Sequence, residues 1–201
     1  AIKEGKVTEV YDSSYFTTKK TLKDIEASLF KIDTSDVGRE QMNEDMDAYR
    51  KGTKKISEEY IRKTEIQAID VDAYKVVGYW YFDKRQGELK YRMLGICPVV
   101  PDVYTMNSEE KDYIELFWVF FPDARETLYS AKAFNEKNTS MPISFDQILN
   151  SRYFNAIIYK EENVYGDREI KDYMKDNAQN QLLESERVKE KIRNFEQDMW
   201  N

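Results

Sequence analysis

One part of the sequence constrains the fold more than any other, because two segments rich in aromatic and β-branched residues flank a short polar turn. Residues 74–82 combine Tyr, Trp, Phe and Val, and residues 88–97 carry Leu89, Tyr91 and Met93 at alternating positions. Side chains of these types favour strands, and a polar turn that contains glycine reverses the chain between them. The pattern predicts an antiparallel β-hairpin.

A third strand is predicted further along the chain. Residues 113–121 are apolar on both faces apart from Glu115, which is typical of a strand buried on both sides. Pro98 and Pro101 are expected to end the preceding strand, because proline lacks the N–H donor that a sheet ladder requires. The three strands together predict a central antiparallel β-meander.

Helices are predicted on both sides of this meander. Leu22, Ile25 and Leu29 recur at helical spacing after two threonines that are candidate N-caps, at positions 18 and 21. Ser144, followed three residues later by Gln147, has the spacing of a capping box, in which each residue satisfies a backbone N–H of the other. We therefore expect one helix to begin after one of these threonines and another at residue 145.

Apolar residues near the C-terminus recur at steps of three and four over residues 167–200, which predicts one long C-terminal helix. Residues 33–64 are mostly polar and form a long excursion, with a short helix expected near residues 57–63. The predicted fold class is α+β, with a central antiparallel meander, packed helices and this long helix. We expect residues 1–201 to form a single domain.

Composition excludes several partners. The chain has a net charge of −7 and its 31 basic residues are dispersed among 38 acidic ones, so nucleic acid is not an expected partner. No apolar run approaches the roughly 18 residues that a membrane-spanning helix needs, so direct membrane insertion is not expected. The first residues have no charged region followed by an apolar one, so we expect a mature or trimmed fragment without its signal peptide.

Catalytic and cofactor chemistry has little support. The chain contains no histidine, which excludes Ser-His and Cys-His nucleophiles and histidine metal ligands. Cys97 is the only cysteine and lies between Ile96 and Pro98, so we predict a buried, inert thiol rather than a nucleophile. Glycine-rich phosphate loops are also absent. We expect no enzyme activity, no metal and no cofactor.

Pairs of acidic residues are the remaining catalytic candidates, for general acid/base chemistry or Ca²⁺ binding. These pairs are Glu109 with Glu110, Glu161 with Glu162, and Asp70 with Asp72. The last pair lacks the glycine turn and the distal glutamate of a Ca²⁺ loop. On an acidic protein such pairs are more often solvated surfaces or turns, and we interpret them in this way.

Aromatic residues make up 14% of the chain, which is more than a core of this size usually needs. Hairpin rings are equally consistent with a core and with a protein interface, and exposed rings would also suit a glycan. The C-terminal apolar stripe is expected to pack on the parent domain, with docking into a partner as the alternative. The candidate partner interface comprises Tyr79, Trp80, Tyr81, Phe195, Met199 and Trp200.

Long segments of the sequence resemble one known family, GldN/PorN, which serves the type IX secretion system and gliding motility. The matching segments are residues 78–98, 115–122, 141–146, 160–168 and 192–200. The resemblance covers nearly the whole chain and is weakest in the polar excursion.

The resemblance implies a structural, non-enzymatic subunit in the periplasm of Bacteroidetes, associated with the outer membrane through its partners. It implies a ring-type complex with the lipoprotein GldK/PorK, homo-oligomerisation within that ring, and contact with the periplasmic region of GldM/PorM. No catalytic residue carries over from the family. A periplasmic glycan-binding module that uses Trp80 or Tyr81 is the alternative function.

Overall fold

The structure is a computed structural model that describes residues 2, 4–44, 46, 57–106, 108–135, 140–175 and 177–199. Its largest sheet has four strands, β3 (Ala73–Asp83), β4 (Glu88–Pro101), β5 (Tyr113–Glu115) and β6 (Val119–Phe120). The strand order is β3-β4-β5, and β6 also pairs with β4. The predicted hairpin, the antiparallel meander and the α+β class are confirmed.

Of the two prolines expected to end the second hairpin strand, Pro101 is the last residue of β4, as predicted, but β4 continues through Pro98. Pro98 is tolerated since the ladder uses its carbonyl oxygen, which accepts a hydrogen bond from the N–H of Leu116 at 3.2 Å. The last residues of β4 then pair with β5, Val99 opposite Glu115 and Pro101 opposite Tyr113. A proline at the end of a strand removes a donor without breaking the sheet.

The prediction of one strand over residues 113–121 was also wrong. The segment contains β5 and β6 with three residues between them, and helix α3 (Phe121–Ser130) follows at once. Trp118 leaves the main sheet and instead exchanges two backbone hydrogen bonds of 2.8 Å with Tyr11. The segment is rich in apolar residues because Leu116, Trp118, Val119 and Phe121 are buried around a bend, and not because a flat strand is covered on both faces.

The chain divides into two compact units, Ala1–Val77 with Leu94–Thr127, and Gly78–Met93 with Leu128–Asn201. The core of the first unit contains Ile66, Val100, Val103 and Leu116. In the same unit, the ring of Phe16 packs edge to face against the rings of Tyr11, Trp118 and Phe120. The organisation of residues 1–201 as a single domain stays a prediction.

The polar excursion at residues 33–64 contains more regular structure than its composition indicated. β1 (Phe30–Thr34) pairs antiparallel with β2 (Ile61–Glu65), with Phe30 opposite Glu65 and Thr34 opposite Ile61. Helix α2 (Asp36–Glu44) follows β1, and the short helix expected near residues 57–63 is a three-residue 3-10 helix at Glu58–Tyr60, which leads into β2. The two strands form because segments that are distant in the sequence pair with each other, and local composition does not reveal such pairing.

Helix α1 (Leu22–Leu29) begins as predicted. Its N-cap is Thr21, whose side chain accepts a hydrogen bond from the N–H of Asp24, while the Asp24 side chain accepts from the N–H of Thr21. This reciprocal pair satisfies two N–H groups that the helix itself leaves without a partner.

In the second unit, β7 (Lys132–Ala133) pairs antiparallel with β8 (Ile143–Ser144), and helix α4 (Phe145–Asn150) follows. The predicted capping box is confirmed, because the Ser144 side chain accepts from the N–H of Gln147 and the Gln147 side chain accepts from the N–H of Ser144. Both hydrogen bonds measure 3.2 Å.

The single helix predicted over residues 167–200 is divided into α5 (Ile170–Tyr173) and α6 (Ala178–Asp198). The side chain of Asn177 accepts hydrogen bonds from the N–H groups of Gln179 and Asn180, so a new helix starts there. Asparagine is among the best N-cap residues because its side chain competes with the helical backbone for these donors. A long C-terminal helix is therefore confirmed, with a later start.

Candidate functional site

The outer part of the hairpin carries two tyrosines that face solvent together. Tyr79 and Tyr81 are 43% and 42% exposed, and their ring centroids lie 6.0 Å apart. They share a face because side chains two residues apart on a strand point the same way. Across the ladder, the Arg92 guanidinium donates a hydrogen bond of 3.4 Å to the Tyr79 hydroxyl. This face offers two aromatic rings and a cation to a partner.

Trp80 and Tyr91 lie together elsewhere on the hairpin, and their ring centroids are 5.3 Å apart. The guanidinium carbon of Arg152 lies 4.2 Å from the centroid of the Trp80 ring and 5.4 Å from that of Tyr91. Burial raises the pKa of the Tyr91 hydroxyl, against the opposite effect of the positive Arg152. Sequence reasoning missed Arg152, since only the fold brings residue 152 to the hairpin.

Gly78 makes room for this arrangement. A β-carbon at this position would lie 2.5 Å from the backbone oxygen of Arg92 and 2.5 Å from Cζ of Tyr91. The hydroxyl of Tyr91 would be closer still. Because glycine has no side chain, the Tyr91 ring can lie directly over the strand.

The inclination of the rings bears on the glycan alternative. The Tyr79 and Tyr81 rings are inclined at 50°, and those of Trp80 and Tyr91 at 56°. Neither pair forms a flat platform, and a guanidinium covers the second pair. The geometry is better suited to interdigitating side chains of a protein partner than to the flat face of a sugar ring.

The C-terminal interface candidates lie at the end of α6. Earlier in this helix Val188 and Ser185 are buried, and Ser185 Oγ accepts a hydrogen bond of 2.9 Å from the N–H of Ile158. Phe195 and Met199 are 49% and 39% exposed, so the apolar stripe continues beyond its buried part. Trp200 lies outside the described residues.

Residues 153–159, around Ile158, have a composition typical of a strand, yet they are irregular in the structure. Their backbone groups find partners in the two C-terminal helices. Besides the bond to Ser185, the Tyr159 carbonyl oxygen accepts from the N–H of Ile170 at 2.8 Å. A serine within an apolar stripe indicates a buried hydrogen bond, because buried polar groups are almost always bonded. This residue was not included in the sequence analysis.

Cys97 is buried, as predicted. Burial raises the pKa of its thiol from the ordinary 9.0 to about 12, and the nearby negative charge of Glu115 also raises it. Only the thiolate is an effective nucleophile, so this cysteine is unreactive at neutral pH.

We expect Cys97 in the native protein to react with a thiol reagent at pH 8 at least about a hundredfold more slowly than in denaturant, because the thiol is both buried and neutral. The unfolded thiol ionises near pH 9 while the folded one stays neutral to about pH 12, so Cys97 lowers the stability of the fold as pH rises through this range. A Val164→Cys variant adds a thiol at an almost fully exposed position and serves as the fast control. Equal rates for both thiols in the native protein would contradict this prediction.

Glu115, the one charged residue in the apolar segment, has a structural role. Its carboxylate accepts a hydrogen bond of 2.6 Å from Lys75 Nζ and one of 2.8 Å from the indole N–H of Trp118. A partly buried carboxylate is tolerated when a cation and a hydrogen-bond donor satisfy it.

The other acidic candidates are also in structural or exposed positions. Asp70 accepts a hydrogen bond of 2.7 Å from the N–H of Gln67, and Glu161 lies 3.4 Å from Lys191 Nζ. Glu109 and Glu110 are exposed. In the described ranges, no three histidine, cysteine or acidic side chains are grouped as metal ligands would be.

No helix in the described part of the chain is long and apolar enough to cross a membrane. A search of curated proteins finds no match. The model of one protein family, "Gliding motility associated protein GldN", matches residues 1–201, the full length of the sequence. The chain therefore belongs to the GldN family of gliding motility associated proteins.

Proposed function

We propose that this protein is a structural, non-enzymatic subunit of the type IX secretion system that supports protein secretion and gliding motility. In this proposal it works in the periplasm, in a ring-type complex with a GldK/PorK lipoprotein that brings it to the outer membrane. It also contacts the periplasmic region of GldM/PorM. The observation that carries the proposal is the family match over residues 1–201.

Aromatic and aliphatic residues of the hairpin and of the end of α6 supply the recognition surface in this proposal. Tyr79, Trp80 and Tyr81 are the hairpin part of the partner interface, and Phe195 and Met199 are the helical part, with Trp200 next to them in sequence. Exposed tyrosines beside an arginine support a protein interface, because Trp, Tyr and Arg are enriched among the residues that dominate binding energy.

The test is size-exclusion chromatography with light scattering on this chain, alone and mixed with the periplasmic part of a GldK-type lipoprotein. We expect the two proteins to elute together as a complex of defined mass. A mixture that elutes as two separate proteins would argue against the proposed partnership.

A variant pair tests the proposed interface in the same experiment. The double change Tyr79→Ala and Tyr81→Ala is expected to weaken the complex at least about tenfold, because two central aromatic residues are removed. Tyr129→Ala, at another exposed tyrosine, is the matched control and should leave binding unchanged. Equal losses in both variants would exclude a specific role for the hairpin face.

A further inference from the structure

Arg152 occupies an unusual position at the end of α4. Its φ angle is 56°, in the left-handed region that favours glycine, directly after the helix C-cap Ser151. The turn is held by hydrogen bonds from the N–H of Arg152 to the Leu149 carbonyl oxygen and from the N–H of Tyr153 to that of Ile148. Glycine is the usual residue at this position after a helix. Arg152 adopts the strained left-handed conformation in place of glycine, and its side chain lies on the hairpin.

The Arg152 guanidinium is held by aromatic rings and not by an acid. It lies 4.2 Å from the Trp80 centroid and 5.4 Å from that of Tyr91, distances at which a cation is attracted to a ring face. A guanidinium that lies over aromatic rings still has N–H donors directed away from them. The ring contacts therefore hold the group while leaving it able to form hydrogen bonds.

Arg152 lacks the carboxylate partner that three of the other described arginines have. Among the described residues, ion pairs join Arg39 to Asp33, Arg187 to Glu184 and Arg193 to Glu190. Within the same part of the chain, the Arg152 side chain forms no hydrogen bond or ion pair, and its guanidinium lies over the two rings.

Two further donors in this cluster also lack an acceptor. Neither the Trp80 indole N–H nor the Tyr91 hydroxyl forms a hydrogen bond to any residue that the structure describes. Both residues are half-buried, and no buried side-chain N or O atom in the described ranges is unsatisfied. The two donors are therefore open to solvent, beside a cation that has no counter-charge.

We propose that Arg152, Trp80 and Tyr91 form a receptor for a carboxylate side chain, an aspartate or glutamate of a partner polypeptide. The inference rests on the proposed function, since it assigns a chemistry to one contact of that interface. A fixed guanidinium binds a carboxylate through two parallel hydrogen bonds, and the neighbouring donors satisfy its remaining lone pairs. The inclined rings, already covered by Arg152, favour an acidic side chain over an acidic sugar.

The test is an NMR titration of the ¹⁵N-labelled protein with N-acetyl-triglutamate amide. We expect saturable shifts of the Trp80 indole N–H and the Arg152 Nε–H. The Trp118 indole N–H should not move, because it is buried and already bonded to Glu115. Triglutamine, which has the same shape without the charge, should give no shift.

Variants identify the group responsible. Arg152→Gln should weaken binding about tenfold or more, and Arg152→Lys should weaken it less, because lysine keeps the charge but loses the two-pronged geometry. Arg168→Gln is the matched control, since Arg168 also lies over two tyrosines, Tyr165 and Tyr173. Arg168→Gln should bind like the unmodified protein. The hydroxyl of Tyr173 already donates a hydrogen bond to Glu184, so this donor is not available to a ligand.

Three results would overturn the inference: no response of Trp80 to triglutamate, an equal response to triglutamine, or an equal response in Arg152→Gln. A response to glucuronate that matches or exceeds the response to the peptide would overturn the assignment to a polypeptide. The titration needs no GldK-type protein, so its result is independent of the co-elution test. A successful titration without co-elution would refute the proposed partnership alone, and co-elution without a titration response would refute the receptor alone.

Discussion

Replacement of Trp118 by alanine is expected to lower the free energy of unfolding by about 3–5 kcal/mol, the range for removing a large buried aromatic side chain. Trp118 is 0% exposed, and its ring contacts that of Phe16 at a centroid separation of 6.5 Å. The change creates a cavity and removes the indole N–H, which donates a hydrogen bond of 2.8 Å to Glu115. Urea denaturation followed by circular dichroism measures the loss.

Two further variants define the cause of this effect. Trp118→Phe keeps much of the ring volume and should cost less than the alanine change. Tyr74→Ala removes an aromatic side chain that is mostly exposed, and should cost less than about 1 kcal/mol. If Tyr74→Ala and Trp118→Ala lower the free energy of unfolding by the same amount, Trp118 does not have the central packing role assigned to it.

The second large effect is expected at Gly78. Gly78→Ala should destabilise the protein by about 2–3 kcal/mol, in the upper part of the range for overpacking. The added β-carbon would meet the Arg92 backbone oxygen at 2.5 Å, and a backbone atom cannot move aside as a flexible side chain does. Thermal unfolding of both proteins gives the difference in stability.

A double-mutant cycle separates the two causes of this clash. In a Tyr91→Ala background the cost of Gly78→Ala should fall, because the ring that lies over Gly78 is absent, while the contact with the Arg92 oxygen remains. Strictly additive costs would show that the Tyr91 ring does not press on position 78. Gly78→Ala should also weaken triglutamate binding, since it displaces one wall of the proposed receptor.

Elements with strong local signals were predicted well. The hairpin follows from its aromatic and β-branched composition, and the starts of α1 and α4 follow from their capping residues, Thr21 and Ser144. These features depend on residues within a few positions of one another, so a single sequence carries the information. The family resemblance was likewise carried by contiguous segments.

Elements that depend on distant partners were predicted poorly. β1 and β2 form because residues 30–34 pair with residues 61–65, although the composition between them is polar. The apolar residues 113–121 do not form one strand, because Trp118 pairs with Tyr11, far away in the sequence. Hydrophobic periodicity predicts that such residues are buried, but it does not identify the segment against which they pack.

The sequence by itself determined the α+β class, the hairpin, the helix starts, the buried thiol of Cys97 and the family. Only the tertiary structure decided which surface groups lie together, above all that Arg152 reaches Trp80 and Tyr91. The physical reason is that local propensity and periodicity act between neighbours in the chain. The placement of a guanidinium on two rings instead depends on how α4 and the hairpin pack, to which residues throughout the second unit contribute.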